Sequence, residues 1–185
     1  MPTAGGRERA ILDAVFDLFF ERGYAGFSMA EVATRAGVPE ERVTRIGGRA
    51  ELVTAAVNHR VPPMPECPDM GSLRGDLVEL ARLQIAYHRQ HGREVEHCLK
   101  AISQSAEFAS AARPVTLQRI EVYRPMFDRA IARGDIERGF LYEEFVDLLS
   151  APLLGRLFAG RPLDEDAIEE GVDLIVQGLR ERQPS

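Results

Sequence analysis

An all-α fold of about nine helices in two domains is what this sequence predicts, and three observations predict it. Apolar residues recur at helical spacing along almost the whole chain. No stretch joins sustained strand alternation to a hairpin signal. Glycines and prolines fall where helices would have to stop or turn. The division is set at residue 53: a compact three-helix head over 1–53, and a larger helical bundle over 54–185.

In the first helix Ile11, Ala14, Val15, Leu18 and Phe19 stand at i, i+3, i+4, i+7 and i+8, the apolar stripe of a helix laid on a core, and Gly23 supplies its stop. Ser28-Met29-Ala30-Glu31 reads as a capping box, opening a short second helix that closes near Arg35. Ala33 is small enough for helices to cross closely, and Gly37 tolerates the positive φ of a tight interhelical turn. A third helix is predicted over 38–46, with Val38, Val43 and Ile46 facing inward and Arg42, Thr44 and Arg45 facing out. Residues 28–46 thus have the pattern of a helix-turn-helix, a motif whose dominant use is reading DNA.

A fourth helix runs from about Arg49 to Arg60. The run Val61-Pro62-Pro63-Met64-Pro65-Glu66-Cys67-Pro68 then blocks helix continuation, because proline fixes φ and withholds a donor. Ser72 is placed to cap a fifth helix to about His91, with Leu73, Leu77, Leu80 and Tyr87 on one face. A sixth covers 93–108 after a break at Gly92. Pro114 suits the first turn of a seventh, bent at Pro125 and ended by Gly134.

The last two helices point to association. Phe145, Val146, Leu148, Leu149, Ala151, Leu153, Leu154, Leu157 and Phe158 leave almost no polar face, so burial on several sides is expected. In the final helix, about Asp164 to Arg182, Ile168, Val172, Ile175 and Leu179 form one stripe. Ala167, Gly171, Leu174 and Gly178 form an adjacent one, where interior glycines suggest close helix approach. Leu149, Leu153, Leu157, Ala167, Gly171, Leu174 and Gly178 are the candidate interface of a two-fold dimer.

The run Ile11-Leu12-Asp13-Ala14, with Leu18-Phe19-Phe20-Glu21-Arg22-Gly23-Tyr24 and Val32-Ala33-Thr34-Arg35-Ala36-Gly37-Val38, resembles the N-terminal domain of TetR-family transcriptional regulators. The likeness covers residues 7–53. Less specifically, Gly71-Ser72-Leu73-Arg74-Gly75-Asp76-Leu77 and the segment from Pro152-Leu153-Leu154 to Gly160-Arg161-Pro162-Leu163 resemble the C-terminal domain of an actinobacterial-type subgroup. The resemblance implies an all-helical homodimer that binds double-stranded operator DNA through its three N-terminal helices and is released by a small-molecule effector. It implies that the last two helices form a four-helix bundle across the two-fold axis. It also implies a pocket among the fifth to eighth helices, for which Tyr87, Cys98, Tyr123, Phe127, Phe145 and Leu149 are candidate linings, suiting an apolar or aromatic ligand.

On the DNA side the candidate residues are Ser28, Pro39, Arg42, Thr44, Arg45 and Arg49. The three arginines are chemically apt, since a guanidinium can take a guanine edge bidentately. The sequence departs from the family pattern here. Pro39-Glu40-Glu41 opens the third helix where Ser or Thr is usual, Thr44 stands at the usual Tyr position, and Ile46-Gly47-Gly48-Arg49-Ala50-Glu51-Leu52 is one residue short. A lost hydroxyl, a lost lysine and two carboxylates imply a weaker hold on phosphate.

Charge agrees: residues 1–53 hold seven arginines and eight acids, a net of −1 within a chain total of −6. No strong basic field is present, so local arrangement must steer DNA. A helical interaction or small-molecule-binding module with weakened DNA binding is therefore the alternative reading. The third is a small all-helical hydrolase or metal-dependent enzyme using His88, His91 and nearby carboxylates, with Glu94 or His97 as a further ligand. It is disfavoured because Gly92 interrupts the set, Arg89 and Arg93 oppose a cation, and no recognised ligand spacing occurs. No catalytic motif, metal or cofactor is implied. Cys67 and Cys98 have neither disulfide-framework nor zinc spacing and read as free thiols, one in a loop and one in a helix. With no bilayer-spanning apolar run and no signal-peptide pattern at the start, a cytoplasmic protein without membrane partners is expected.

Overall fold

The computed structural model describes residues 4–137, 139–159 and 165–181, and among them every regular element is helical. In order these are α1 (Ala4–Arg22), α2 (Met29–Ala36), α3 (Glu40–Thr44), α4 (Arg49–Arg60), α5 (Leu73–Gln104), α6 (Ala106–Ile120), a 3-10 turn (Glu121–Tyr123), α7 (Arg124–Arg133), α8 (Tyr142–Phe158) and α9 (Glu165–Glu181). The chain divides by contact into two compact units: Met1–Pro63 with Gln90–Gln118, and Met64–Arg89 with Arg119–Ser185. The division expected at residue 53 falls inside α4, a continuous helix that ends at Arg60.

The first unit is built on the stripe of α1. Ile11, Val15, Leu18 and Phe19 are essentially solvent-free, as are Val32 of α2, Val43 of α3, and Leu52, Val53 and Ala56 of α4. From α6, Phe108 joins this core, its ring 6.2 Å from Phe19 and 5.1 Å from Tyr24. Gly23 takes φ 80° and its N–H donates to the Phe19 carbonyl at 2.8 Å, so α1 stops where the glycine permits it.

In the second unit one aromatic and aliphatic core gathers Leu73, Leu77 and Leu80 of α5, Met126 and Phe127 of α7, Phe145 and Leu149 of α8, and Val172 and Leu179 of α9. The proline-rich segment before α5 is pinned by charge. Asp76 is fully buried, accepts from the Met70 N–H at 2.7 Å, and meets Arg133 Nη2 at 2.6 Å. Arg133 also reaches Asp69 at 2.9 Å and Asp135 at 3.0 Å. The Ser72 hydroxyl accepts from the Gly75 N–H at 3.1 Å, capping α5 as the sequence predicts.

Four helix boundaries differ from the expectation. Gly92 does not break a helix: α5 is continuous for 32 residues, and a glycine penalty of about 1 kcal/mol is small beside the apolar surface it buries. Pro114 lies inside α6 rather than opening a helix. It is tolerated because Pro114 and Ser110, whose carbonyl loses its partner, are both solvent-exposed. The chain turns at Glu121–Tyr123, so Pro125 falls in the first turn of α7, where its missing donor is not needed. Finally, α3 is only five residues, with Pro39 as its N-cap, and Ile46 beyond it is 37% exposed rather than inward. Val38 is half-buried, and Val43 is the one buried residue of α3.

Candidate nucleic-acid interface

The head holds α2 and α3 by local chemistry. Ser28 Oγ accepts from the Glu31 N–H at 3.2 Å while Glu31 accepts from the Ser28 N–H at 2.8 Å, completing the capping box. These bonds, the backbone one first and then the Arg22 partner, hold the Glu31 carboxyl below its usual range. Gly37 sits at φ 65°, ψ 37°, and the following Val38 N–H returns to Ala33 O at 3.0 Å. A side chain at 37 would be strained in this left-handed conformation, so the interhelical turn depends on glycine.

The α3 segment presents Glu40, Glu41, Arg42, Thr44, Arg45 and Ile46 to solvent and buries only Val43. Arg42 and Arg45 make no side-chain hydrogen bond or ion pair among the described residues. Three other cations of the head are engaged. Arg22 pairs with Glu31 at 2.6 Å, and Arg35 forks onto both oxygens of Glu21 at 2.8 and 2.9 Å. Arg49 donates to the backbone oxygens of Tyr24 at 3.2 Å and Phe27 at 2.8 Å, with its guanidinium 5.1 Å from the Phe27 ring centroid. Thr44 Oγ1 donates back to Glu40 O at 3.4 Å and Glu41 O at 3.3 Å. Of the six sequence candidates, then, Arg42 and Arg45 are exposed and uncommitted. Ser28, Thr44 and Arg49 have internal partners, and Pro39 is an exposed helix cap.

The other candidates separate. Tyr123, Phe127, Phe145 and Leu149 share the core of the second unit, the Phe127 and Phe145 rings 5.2 Å apart. Tyr87 belongs to the same unit, half-buried, its hydroxyl 3.4 Å from Arg119 Nη1. Cys98 lies in the part of α5 that packs with the first unit. Sequence reading missed Gln84, which is 5% exposed and donates to the Tyr123 hydroxyl at 3.2 Å. Its signal was available: it continues the series Leu73, Leu77, Leu80 at helical spacing, a polar residue on an apolar stripe.

On the α8 and α9 faces Leu149 is buried, whereas Leu148 is 40% and Leu174 71% exposed. Gly171 and Gly178 have open space where a Cβ would stand. Leu153, Leu157 and Ala167 lie outside the residues whose side chains are described. Of the two thiols, Cys67 is buried and Cys98 half-buried, and neither is in a disulfide. Burial pushes the Cys67 thiol up to about 11.

A three-helix head with this turn, followed by a helical second unit, defines a helix-turn-helix regulator. Comparison with known proteins gives the family. Residues 11–44 match the model of bacterial regulatory proteins of the tetR family, and residues 67–175 match the Tetracyclin repressor-like C-terminal domain. The chain belongs to the TetR family of transcriptional regulators, with an N-terminal DNA-binding domain.

Among relatives, the HTH-type transcriptional regulator Mb1581 of Mycobacterium bovis is 27% identical over 173 residues, covering 92% of this chain and 86% of that protein. YdeS of Bacillus subtilis, also an HTH-type transcriptional regulator, is 22% identical, covering 97% and 92%. Of solved structures, the TetR family transcription regulator SCO0332 superposes with a TM-score of 0.65 at 23% identity, covering 93% of this chain and 97% of its own. A TetR-family regulator from Mesorhizobium loti gives 0.63 at 21% identity, with 98% of each chain covered.

The protein is thus a regulator rather than an enzyme, which overturns the metal-enzyme alternative. Its histidines have local partners: Nδ1–H of His88 donates to Gln84 O at 2.8 Å, and that of His97 to Arg93 O at 2.9 Å. Among the described residues no helix is long and apolar enough to cross a bilayer.

Proposed function

We propose that this chain is a ligand-responsive repressor that acts as a homodimer on pseudo-palindromic DNA. The observation that carries the proposal is the pair of uncommitted guanidinium groups, Arg42 and Arg45, on the solvent face of α3. Arginine can bind a guanine edge in the major groove with two parallel hydrogen bonds. Two copies of α3 read half-sites when a two-fold axis sets them about 34–36 Å apart on one face of the duplex. The exposed Leu174 and Leu148, with the open glycine positions of α9, support α8 and α9 as the surface a second subunit covers.

The effector is read as a small apolar or aromatic molecule. Support comes from the aromatic set Tyr87, Tyr123, Phe127 and Phe145 with Leu149 beside it, and from the buried Gln84–Tyr123 hydrogen bond as a polar handle. A ligand that favours a different separation of the two recognition helices releases DNA without touching it. The protein acts where its operator lies, in the cytoplasm.

One observation favours the alternative, a binding module with weakened DNA affinity. Thr44, which stands at the family's Tyr position, and Arg49, a candidate DNA contact, are turned to internal partners. Selection from a random pool of duplex oligonucleotides separates the two readings. The repressor reading expects an enriched, inverted-repeat sequence bound in a salt-sensitive manner. A pool that never enriches would overturn it in favour of the module.

A further inference from the structure

We propose that Ile46 is a specificity-determining residue, which packs its side chain on the C5-methyl group of a thymine beside the base read by Arg42. The proposal rests on α3 being the DNA-reading helix.

Ile46 stands apart from the other large aliphatic residues of the head. Val32, Val43, Leu52 and Val53 are all 0% exposed, whereas Ile46 is 37% exposed. A core function for it is already discharged by Val43. Beyond the end of α3, Arg45 is in the right-handed helical region at φ −71°, ψ −24°, and the Ile46 N–H donates to Val43 O at 3.1 Å, so the chain makes one further tight turn as far as Ile46. Ile46 thus follows α3 directly, four residues beyond Arg42 in the chain. Side chains at i and i+4 on a helix are surface neighbours, about 5–6 Å apart at Cβ. That separation is one to two base-pair steps, at about 3.4 Å per step.

The chemistry then selects the target. An aliphatic side chain has no donor or acceptor, and the thymine methyl is the one apolar group that the base pairs present in the major groove. The groups around Ile46 on this surface are charged or hydroxylic: Glu40, Glu41, Arg42, Thr44 and Arg45. The carboxylates of Glu40 and Glu41 repel phosphate, and the Thr44 hydroxyl already donates to its own helix. Ile46 is thus the apolar reader of the segment, with Arg42 the polar one beside it.

The test uses the full-length protein and a duplex selected from a random pool, with each thymine replaced in turn by uracil, which lacks only the methyl group. The wild type is expected to lose about four-fold in affinity per half-site at one thymine position, the effect of one buried methyl-sized group. Ile46→Ala is expected to bind thymine and uracil duplexes equally, and Ile46→Val to keep part of the discrimination. Uracil replacement that is neutral at every position, or a loss of the same size in Ile46→Ala, overturns the proposal while leaving DNA binding intact. Failure to bind any selected duplex removes the DNA-reading role of α3 itself, and the proposal with it.

Discussion

The guanidinium of Arg49 lies 5.1 Å from the centroid of the Phe27 ring and donates to the carbonyl oxygen of that same residue at 2.8 Å. Its other nitrogen reaches Tyr24 O, so one side chain at the start of α4 closes the loop between α1 and α2. Arg49→Ala is expected to destabilise the head by about 2 kcal/mol, because two backbone oxygens lose a charged donor. Arg49→Lys recovers only part of this, since an ammonium lacks the planar fork. Urea unfolding measures both, and an Arg49→Ala variant as stable as the wild type would show the clasp to be idle.

Asp76 and Arg133 define the corresponding lock in the second unit. Asp76 is fully buried, and its removal leaves Arg133 short of its closest partner while Asp69 and Asp135 remain. Asp76→Ala should therefore cost about 3 kcal/mol, the low end for breaking a buried ion pair. Thermal unfolding by calorimetry tests this, and a change below experimental error would contradict it.

Acid should weaken the fold. Ser28 and Arg22 hold Glu31, and Arg35 holds Glu21, below the usual glutamate value of 4.5. The Gly71 amide holds Asp69, and Arg74 holds Asp173, below the usual aspartate value of 3.8. Each carboxyl has a lower value folded than unfolded, so its contribution is complete above the unfolded value and disappears as pH falls through the folded one. The melting temperature should drop on acidification below about pH 4.5, less steeply in Glu31→Gln than in the wild type. Identical pH profiles would contradict the assignment of Glu31.

Leu174, 71% exposed on α9, should be covered by a second subunit. Leu174→Glu places a charge in that contact and is expected to shift the protein from dimer to monomer at micromolar concentration in sedimentation equilibrium, with helicity unchanged. A variant that sediments as the wild type does would move the interface elsewhere.

Much of this architecture could be read from residue patterns, for identifiable reasons. The stripe of α1, the Ser28–Glu31 box, the turn at Gly37 and the span of α4 are all set by neighbours in sequence, and local signals determine them. Local helix-breaking signals fail where packing or solvent exposure offsets them. Gly92 carries a helix-breaking preference that burial elsewhere along α5 outweighs, and Pro114 is tolerated where the carbonyl left without a partner faces solvent. The site shows the same division. That Arg42 and Arg45 face solvent follows from helical periodicity. That Arg49 turns inward does not, since its partners Tyr24 and Phe27 are more than twenty residues away. The exposure of Ile46 follows from α3 ending two residues earlier than its apolar pattern suggests.

Whether Arg42 and Arg45 grip DNA decides the function of this chain. The direct measurement is the affinity of wild type and of an Arg42→Ala, Arg45→Ala double variant for a selected duplex across a salt series. The variant is expected to bind at least about tenfold more weakly, with a shallower dependence of log affinity on log salt. Wild-type affinity and slope in the double variant would contradict it.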